Sequence, residues 1–293
     1  MFNISVLQEP ETLESAVAML QANPALRIIA GGTDVLIRIQ HGGDGWSQLL
    51  SLRNVKALET ISLREDGTIV IGATAPFAKI FMDLVIRKHL PSLAEAAVSM
   101  GGPQIRNVAT IGGNICNGAV SGDSASTLFA LDALLRLESL EGERIIPIHE
   151  FYAGPGKVHL RPGELLTAIL IPRSSYQDTG AHYIKFAMRK AMDIATLGVS
   201  VVCRVRAGAF EDLRIGLGVA APVPIRCVEA EAYAKGRAVT VACCQEIGRL
   251  AVKAAKARSS WRASKDYREH LVEVLTERAV LESAKRAGGF HAE

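Results

Sequence analysis

Residues 101–123 read GGPQIRNVATIGGNICNGAVSGD, and the fold class turns on this stretch. It runs from Gly101 to Asp123 and is dense in glycine, with Thr110, Asn114, Asn117 and Ser121 set between. Glycine admits positive φ and close approach of a ligand to the backbone. Small hydroxyls and amides add hydrogen-bonding groups without filling space. An apolar helix leads in, since Leu93, Ala96, Ala97 and Met100 fall at i, i+3, i+4 and i+7. Gly101-Gly102-Pro103 then stops it. After the stretch, the apolar segment from Ala130 to Leu137 returns to a sheet. The stretch reads either as a phosphate cradle or as an ornate surface turn.

Upstream, Leu13, Ala16, Val17 and Leu20 keep helical spacing, and Leu26 to Ala30 is a short buried strand. That strand runs into Gly31-Gly32-Thr33-Asp34, followed by Val35-Leu36-Ile37. A strand leading into Gly-Gly-Thr presents consecutive backbone N–H groups and a hydroxyl, which suits an anion or a plain turn. It is neither G-x-G-x-x-G nor a Walker A loop. Strands are expected at Gln48–Leu52 and Thr68–Ala73, with a hairpin signal at Asp66-Gly67. One helix is expected from Pro76 through Leu84 to His89. Further strands are read at Leu131–Glu138, Arg144–Ile148 and Glu164–Ile171, with Phe151 to Gly163 as loop. Pro172 to Gly180 is the best linker. Beyond it come three strands, at His182–Met188, Thr196–Arg206 and Asp212–Val219, then helices at about 240–257 and 264–287. Without strict βαβ alternation, the class is α+β.

The net charge is 33 − 30 = +3, too small to argue for nucleic acid. The five cysteines form no C-x-x-C pair, which fits a reducing, cytoplasmic setting without a metal site of its own. There is no signal-peptide pattern at the N-terminus and no apolar run of membrane-spanning length. Protein-based catalysis finds no H-E-x-x-H or G-x-S-x-G, and His149 and Glu150 are adjacent and share no face. Cys116, Cys243 and Cys244 read as packing residues. Asp123 suits either a ribose or ribityl hydroxyl or the N-cap of a following helix. The segment from Lys185 to Asp193 reads either as a solvated charged turn or as a lid over a redox cofactor. Two glycine loops of unlike pattern suggest one extended ligand, better a dinucleotide than a mononucleotide. The hard chemistry would then belong to the cofactor.

AGGTD at 30–34, TIGGN at 110–114 with Asp123, and the Lys185 segment together resemble the FAD-binding subunits of molybdenum hydroxylases. That family includes xanthine dehydrogenase, carbon monoxide dehydrogenase and aldehyde oxidoreductase. The likeness spans essentially the whole chain. PQIRNVATIGGNICNG, GVAAPVPIRC and RSSWRASK resemble most the bacterial xanthine dehydrogenase branch. The resemblance implies an FAD-binding domain over 1–176, with vanillyl-alcohol-oxidase-type subdomains at about 1–55 and 56–176. A C-terminal α+β domain over 177–293, with a three-stranded antiparallel sheet, would follow.

It further implies that Ile28, Ile29, Ala30, Gly31, Gly32, Thr33, Asp34 and Val35 wrap the pyrophosphate. Thr110, Ile111, Gly112, Gly113 and Asn114 would form a second clamp. Asn117 and Asp123 would reach the ribityl and adenosine parts, and Leu166 and Lys185 would edge the flavin. Arg189 to Asp193 resembles the mobile loop where NAD docks. Met100 stands where animal xanthine dehydrogenases carry a stacking aromatic residue. The implied partners are a molybdopterin-binding large subunit and a small subunit with two [2Fe–2S] clusters, in a heterotrimer that doubles. NAD⁺ is the implied acceptor. The alternatives are an aldehyde, carbon monoxide, nicotinate or hydroxybenzoyl-CoA enzyme, or a non-catalytic nucleotide-binding assembly module.

Overall fold

The computed structural model describes residues 3–42 and 45–289. Strand β1 (Val6–Gln8) precedes helix α1 (Leu13–Ala22), which opens on a capping box between Thr12 and Ser15. Its buried stripe is Ala16, Val17 and Leu20. Strand β2 (Arg27–Ile29) enters the first glycine loop, helix α2 (Val35–Gln40) leaves it, and β3 (Gln48–Ser51) follows. The three strands form a parallel sheet in the order β1-β3-β2. Leu50, Leu52 and Leu58 close this small core together with Leu165, which arrives from the second subdomain.

The second subdomain is a five-stranded sheet with helices packed on it. In chain order it holds β4 (Ile61–Leu63), β5 (Ile69–Gly72), α3 (Phe77–Met82), α4 (Leu84–His89) and α5 (Pro91–Ser99). Then come α6 (Pro103–Val108), α7 (Ile111–Cys116) and α8 (Ala125–Ala130). The hairpin of β6 (Leu134–Ser139) and β7 (Gly142–Pro147), the small ribbon of β8 (Tyr152–Gly154) and β9 (Lys157–Val158), and β10 (Leu165–Ile171) complete it. The sheet order is β4-β5-β10-β6-β7, with every pair antiparallel. All seven residues of β10 are buried, which is why LLTAILI reads as a continuous apolar run. Phe77, Ile80, Leu93, Ile111 and Leu128 pack from the helices into the main core.

Three expectations are corrected here. The single helix expected from Pro76 to His89 is two helices. The Asp83 carboxylate accepts from the N–H groups of Val85 (2.8 Å) and Ile86 (3.1 Å), capping a fresh start. The stretch after Gly101 is not mainly loop, because α6 and α7 occupy much of it. The apolar segment from Ala130 to Leu137 is not strand from its start: Ala130 ends helix α8, and the chain turns at Asp132 before β6 starts at Leu134.

The C-terminal domain begins with β11 (Gly180–Phe186), β12 (Leu197–Arg206) and β13 (Ala209–Gly218), the expected antiparallel meander. A fourth strand, β14 (Ile225–Arg226), pairs with β13, so the sheet has four strands rather than three. Helix α9 (Val228–Ala234) is followed by α10 (Val241–Ala254) and the long α11 (Lys265–Arg286). Cys203, Cys243 and Cys244 are buried in this core, and burial pushes the thiols of Cys203 and Cys244 up to about 12. They are packing residues, not nucleophiles. No helix among the described residues is long and apolar enough to cross a membrane.

One carboxylate fastens this domain to the second subdomain. Glu95 on α5 accepts from the Tyr183 N–H at 2.8 Å and from Arg286 of α11 at 2.6 Å, and meets His182 at 2.9 Å. Burial alone would raise the Glu95 pKa, but these hydrogen bonds hold it below the ordinary 4.5. A carboxyl depressed on folding contributes stability above its unfolded pKa and loses it as pH falls through the folded value. Glu95→Gln is therefore expected to be less stable than wild type at neutral pH and to show a flatter loss below about pH 4.5. Urea unfolding across that range checks it, and parallel curves for the two proteins would refute the assignment.

Candidate functional site

The first subdomain, the second and the loop after β11 enclose one cavity of about 580 Å³. That lies within the roughly 300–1,000 Å³ typical of ligand sites. The β2–α2 loop forms one wall. Among the described residues, the backbone N–H groups of Gly31, Gly32, Thr33 and Asp34 donate to no protein oxygen. Consecutive unpaired amides that line a cavity are an anion nest. Gly31 is needed there for another reason: a Cβ would lie 1.9 Å from the carbonyl oxygen of Val108, at the end of α6.

The second glycine segment is arranged differently. Ile111 N–H donates to Ala75 O, Gly112 N–H to Ala73 O, and Gly113 N–H to the Thr110 hydroxyl. Its amides are thus spent on holding α7 against the β5–α3 turn. What it offers the cavity is Asn114, whose side-chain oxygen accepts from Ser124 Oγ at 2.7 Å, and backbone bare enough for close approach. Asn117 accepts from Arg38 on α2, and the Arg38 guanidinium lies 5.3 Å from the centroid of the Trp46 ring. Arg38 and Trp46 therefore make a polar and aromatic corner of the same cavity.

Asp123 is buried beside the cavity and paired with Lys185 of β11, at 2.9 Å. The Tyr183 hydroxyl donates to its other oxygen at 3.4 Å, and Lys185 also donates to Ser99 O at 3.1 Å. Burial raises the Asp123 pKa above its ordinary value, and Lys185 offsets part of that rise. At the far side, Asp193 receives the Arg189 N–H at 3.0 Å and its own neighbour Ile194 N–H at 2.9 Å. Burial would raise Asp193, but these backbone bonds and Arg189 hold its pKa below the usual value. Met192, inside this turn, has φ +55°.

The cavity wall brings together residues from all the segments singled out in the sequence. Ile28, Ala30 through Val35, Met100, Thr110, Gly112, Gly113, Asn114, Asn117, Asp123, Leu166, Arg189 and Asp193 all line it. Ile29 and Ile111 do not; Ile111 is fully buried in the main core. Lys185 stands behind Asp123 rather than on the wall, and lines a second, smaller hollow with Arg189 and Lys190. Arg38, Trp46 and Arg262 line the cavity but were not singled out as site residues, and Ser121, named among the small polar residues of the glycine stretch, lines it too. Trp46 is one of only two tryptophans in the chain, and Arg262 lies in the RSSWRASK stretch. Those were the available signals.

The cavity, its unpaired amides and its polar corner have the size and the donors that an extended, phosphate-bearing ligand would need. The sequence model described as the FAD binding domain in molybdopterin dehydrogenase matches residues 2–174. That described as the CO dehydrogenase flavoprotein C-terminal domain matches residues 182–283. The chain belongs to the FAD-binding (medium) subunits of the molybdenum hydroxylase family. It is 42% identical over 289 residues, 99% of either chain, to the xanthine dehydrogenase FAD-binding subunit of Escherichia coli. It is 30% identical over 273 residues to the carbon monoxide dehydrogenase medium chain of Hydrogenophaga pseudoflava, covering 92% of this chain and 94% of that one. A solved structure of the carbon monoxide dehydrogenase from that organism superimposes with a TM-score of 0.92 at 28% identity, over 98% of this chain and 99% of the other.

Proposed function

We propose that the chain is the flavoprotein subunit of a xanthine dehydrogenase-type enzyme, passing electrons from partner [2Fe–2S] clusters through FAD to NAD⁺. The observation that carries this reading is the nest of four unpaired amides, Gly31 to Asp34, lining a cavity of about 580 Å³. The residues present fit FAD. The nest would take the pyrophosphate, because backbone N–H groups bind phosphate oxygens without needing side-chain charge. Asn114 and Asn117 would meet the ribityl and ribose hydroxyls. Leu166 and Met100 would pack against the ring, where Met100 gives a polarisable contact in place of an aromatic stack. When bound, FAD supplies a carrier that accepts electrons singly and gives them up as hydride. Asp123 and Lys185 would hold the loop before α8 in place and set the charge beside the ring, and the Arg189–Asp193 turn would limit water access.

The relatives' names favour a purine-oxidising partner, with the E. coli xanthine dehydrogenase subunit matching over nearly the full length. The large subunit, not this chain, would hold the substrate, so aldehyde, carbon monoxide and nicotinate partners are the competing assignments. The subunit would work in the cytoplasm within a heterotrimer. The domain limits we assign are 1–176 and 177–293.

The test is the visible spectrum of the purified complex, with the released cofactor identified by chromatography, followed by anaerobic addition of NADH. FAD in a one-to-one ratio that NADH bleaches is the expected result. FMN in its place would overturn the assignment of the adenosine half of the site. FAD that NADH fails to reduce would overturn NAD⁺ as acceptor and leave the cofactor site standing.

A further inference from the structure

Three arginines stand together where the loop between α10 and α11 meets the cavity. Arg268, in the first turns of α11, is only 4% exposed. It donates to Thr196 O and, at 2.9 Å, to Ser260 Oγ, both neutral acceptors, and its Nε has no partner among the described residues. Arg262 lines the cavity itself; its guanidinium lies 4.2 Å from the centroid of the Trp261 ring, and its Nε is likewise buried and unpaired. Arg258 is exposed just upstream. Among the described residues, no carboxylate forms a salt bridge with any of the three. Burial lowers the Arg268 pKa, and the charges of Arg258 and Arg262 lower it further, so the three sit close enough to repel one another.

A buried guanidinium without a counter-charge is costly, and an unpaired buried N–H calls for an acceptor. Arg268 already serves a structural purpose by tying Ser260 to the entry of β12. That brace fixes the Ser259–Ser264 loop, whose own bridge joins Ser260 to Ala263, and so holds Arg262 at the wall. The Trp261 ring gives the Arg262 guanidinium a cation–π partner. The arrangement is preorganised and positive, without a carboxylate partner among the described residues, and Arg262 shares a cavity with the amide nest.

We propose that Arg262, backed by Arg258 and Arg268, is an anion subsite that takes a phosphate of a dinucleotide bound in this cavity. Two dinucleotides could supply it: FAD itself, or the nicotinamide dinucleotide acceptor, the second resting on the acceptor reading above. Arg262 acts by binding and not by chemistry.

The test compares wild type with Arg262→Gln, Arg262→Lys and a distant control, Arg249→Gln, whose guanidinium pairs with Glu246 on the surface of α10. FAD binding to the deflavinated complex is followed by quenching of flavin fluorescence. ADP-ribose binding to the FAD-loaded complex is followed by calorimetry. Arg262→Gln is expected to weaken one of these two dissociation constants by about tenfold, the effect of losing one charge-assisted hydrogen bond. The constant that moves identifies the source of the phosphate. Arg262→Lys should recover part of the loss, and the affected constant should become less sensitive to salt in Arg262→Gln. If wild type ignores ADP-ribose, the acceptor reading fails while the FAD arm still decides the subsite. Should Arg262→Gln unfold, Arg258→Gln, at an exposed position, is expected to weaken the same ligand by about threefold. Both constants within twofold of wild type in the Arg262 and Arg258 variants would overturn the proposal. Weakened assembly with unchanged ligand binding would overturn it in favour of a partner carboxylate.

Discussion

Gly31→Ala is expected to empty the site. The added Cβ would stand 1.9 Å from Val108 O, 2.7 Å from Val108 C and 2.9 Å from Ala109 Cα. All three are backbone atoms, so no side-chain rotation relieves the clash. The opposing segment is pinned as well: Ala109 N–H donates to Ile105 O, and Ala109 O accepts from Phe77 N–H. The β2–α2 loop must therefore move away by more than about an ångström, the shortfall from ordinary contact. That motion carries the four nest amides off their line. Overpacking costs typically about 1–3 kcal/mol and occasionally more, and a clash with backbone that no rotamer relieves belongs at the upper end, about 3 kcal/mol. If that strain falls on the ligand-competent geometry, it is more than about a hundredfold in Kd. Gly32→Ala is the control. Gly32 has φ +76°, but the nearest atoms its Cβ would meet belong to the side chains of Leu36 and Ile29, at 3.3 Å and beyond. Its cost is the left-handed penalty of about 1–2 kcal/mol. Flavin content and unfolding midpoints of the two variants decide the matter. A larger effect for Gly32→Ala would show that closeness to Val108 is not what shapes the nest.

The same loop shows what the sequence made legible. A strand feeding Gly-Gly-Thr-Asp signals an anion site through local chemistry, and the amides sit where local chemistry places them. The amphipathic helices α5, α10 and α11 were legible because each buries one face only. Helix α8 was not. All six of its residues are buried, because it lies between the second subdomain's core and the C-terminal sheet. With no solvent face it has no period to read, and ASTLFA blends into the strand beyond. The Asp83 cap hid inside a continuous apolar pattern. β14 is two residues long and exists only because β13 offers it an edge.

The candidate site divides in the same way. The glycine loop at 31–34, which lines the cavity with its own backbone, was readable. Arg38, Trp46 and Arg262 were not, because their meeting in one cavity is a property of how three separate chain segments pack. Lys185 lay between the two cases. Its charge was noticed, but its partner, 62 residues away across the domain boundary, was not visible in any local pattern.

That partner makes Lys185→Met the second large effect. The Lys185 side chain is 11% exposed and that of Asp123 7%, so the pair is nearly dry. Removing one member of a buried pair leaves the other charge stranded, at a cost of about 3–5 kcal/mol. Methionine keeps most of the stem's volume, so the loss is electrostatic and not a cavity. The pH dependence separates the two explanations. Burial already raises the Asp123 pKa above 3.8, and Lys185 is the main influence lowering it. Without Lys185 the folded-state pKa rises further. A carboxyl whose pKa is higher in the folded than in the unfolded state favours folding most at low pH. Its contribution falls as pH climbs from the unfolded value through the folded one, then levels off. The deficit of Lys185→Met relative to wild type is therefore expected to be largest near about pH 7.5 and smaller near about pH 5, as Asp123 takes up a proton. Asp123→Asn in the Lys185→Met background should recover much of the loss, since a neutral amide needs no counter-charge. The proposed flavin site should feel both changes, because Asp123 lines the cavity while Lys185 ties it to β11. A deficit that is the same at both pH values, and that the second substitution fails to relieve, would mean that Lys185 holds the domains together by packing alone.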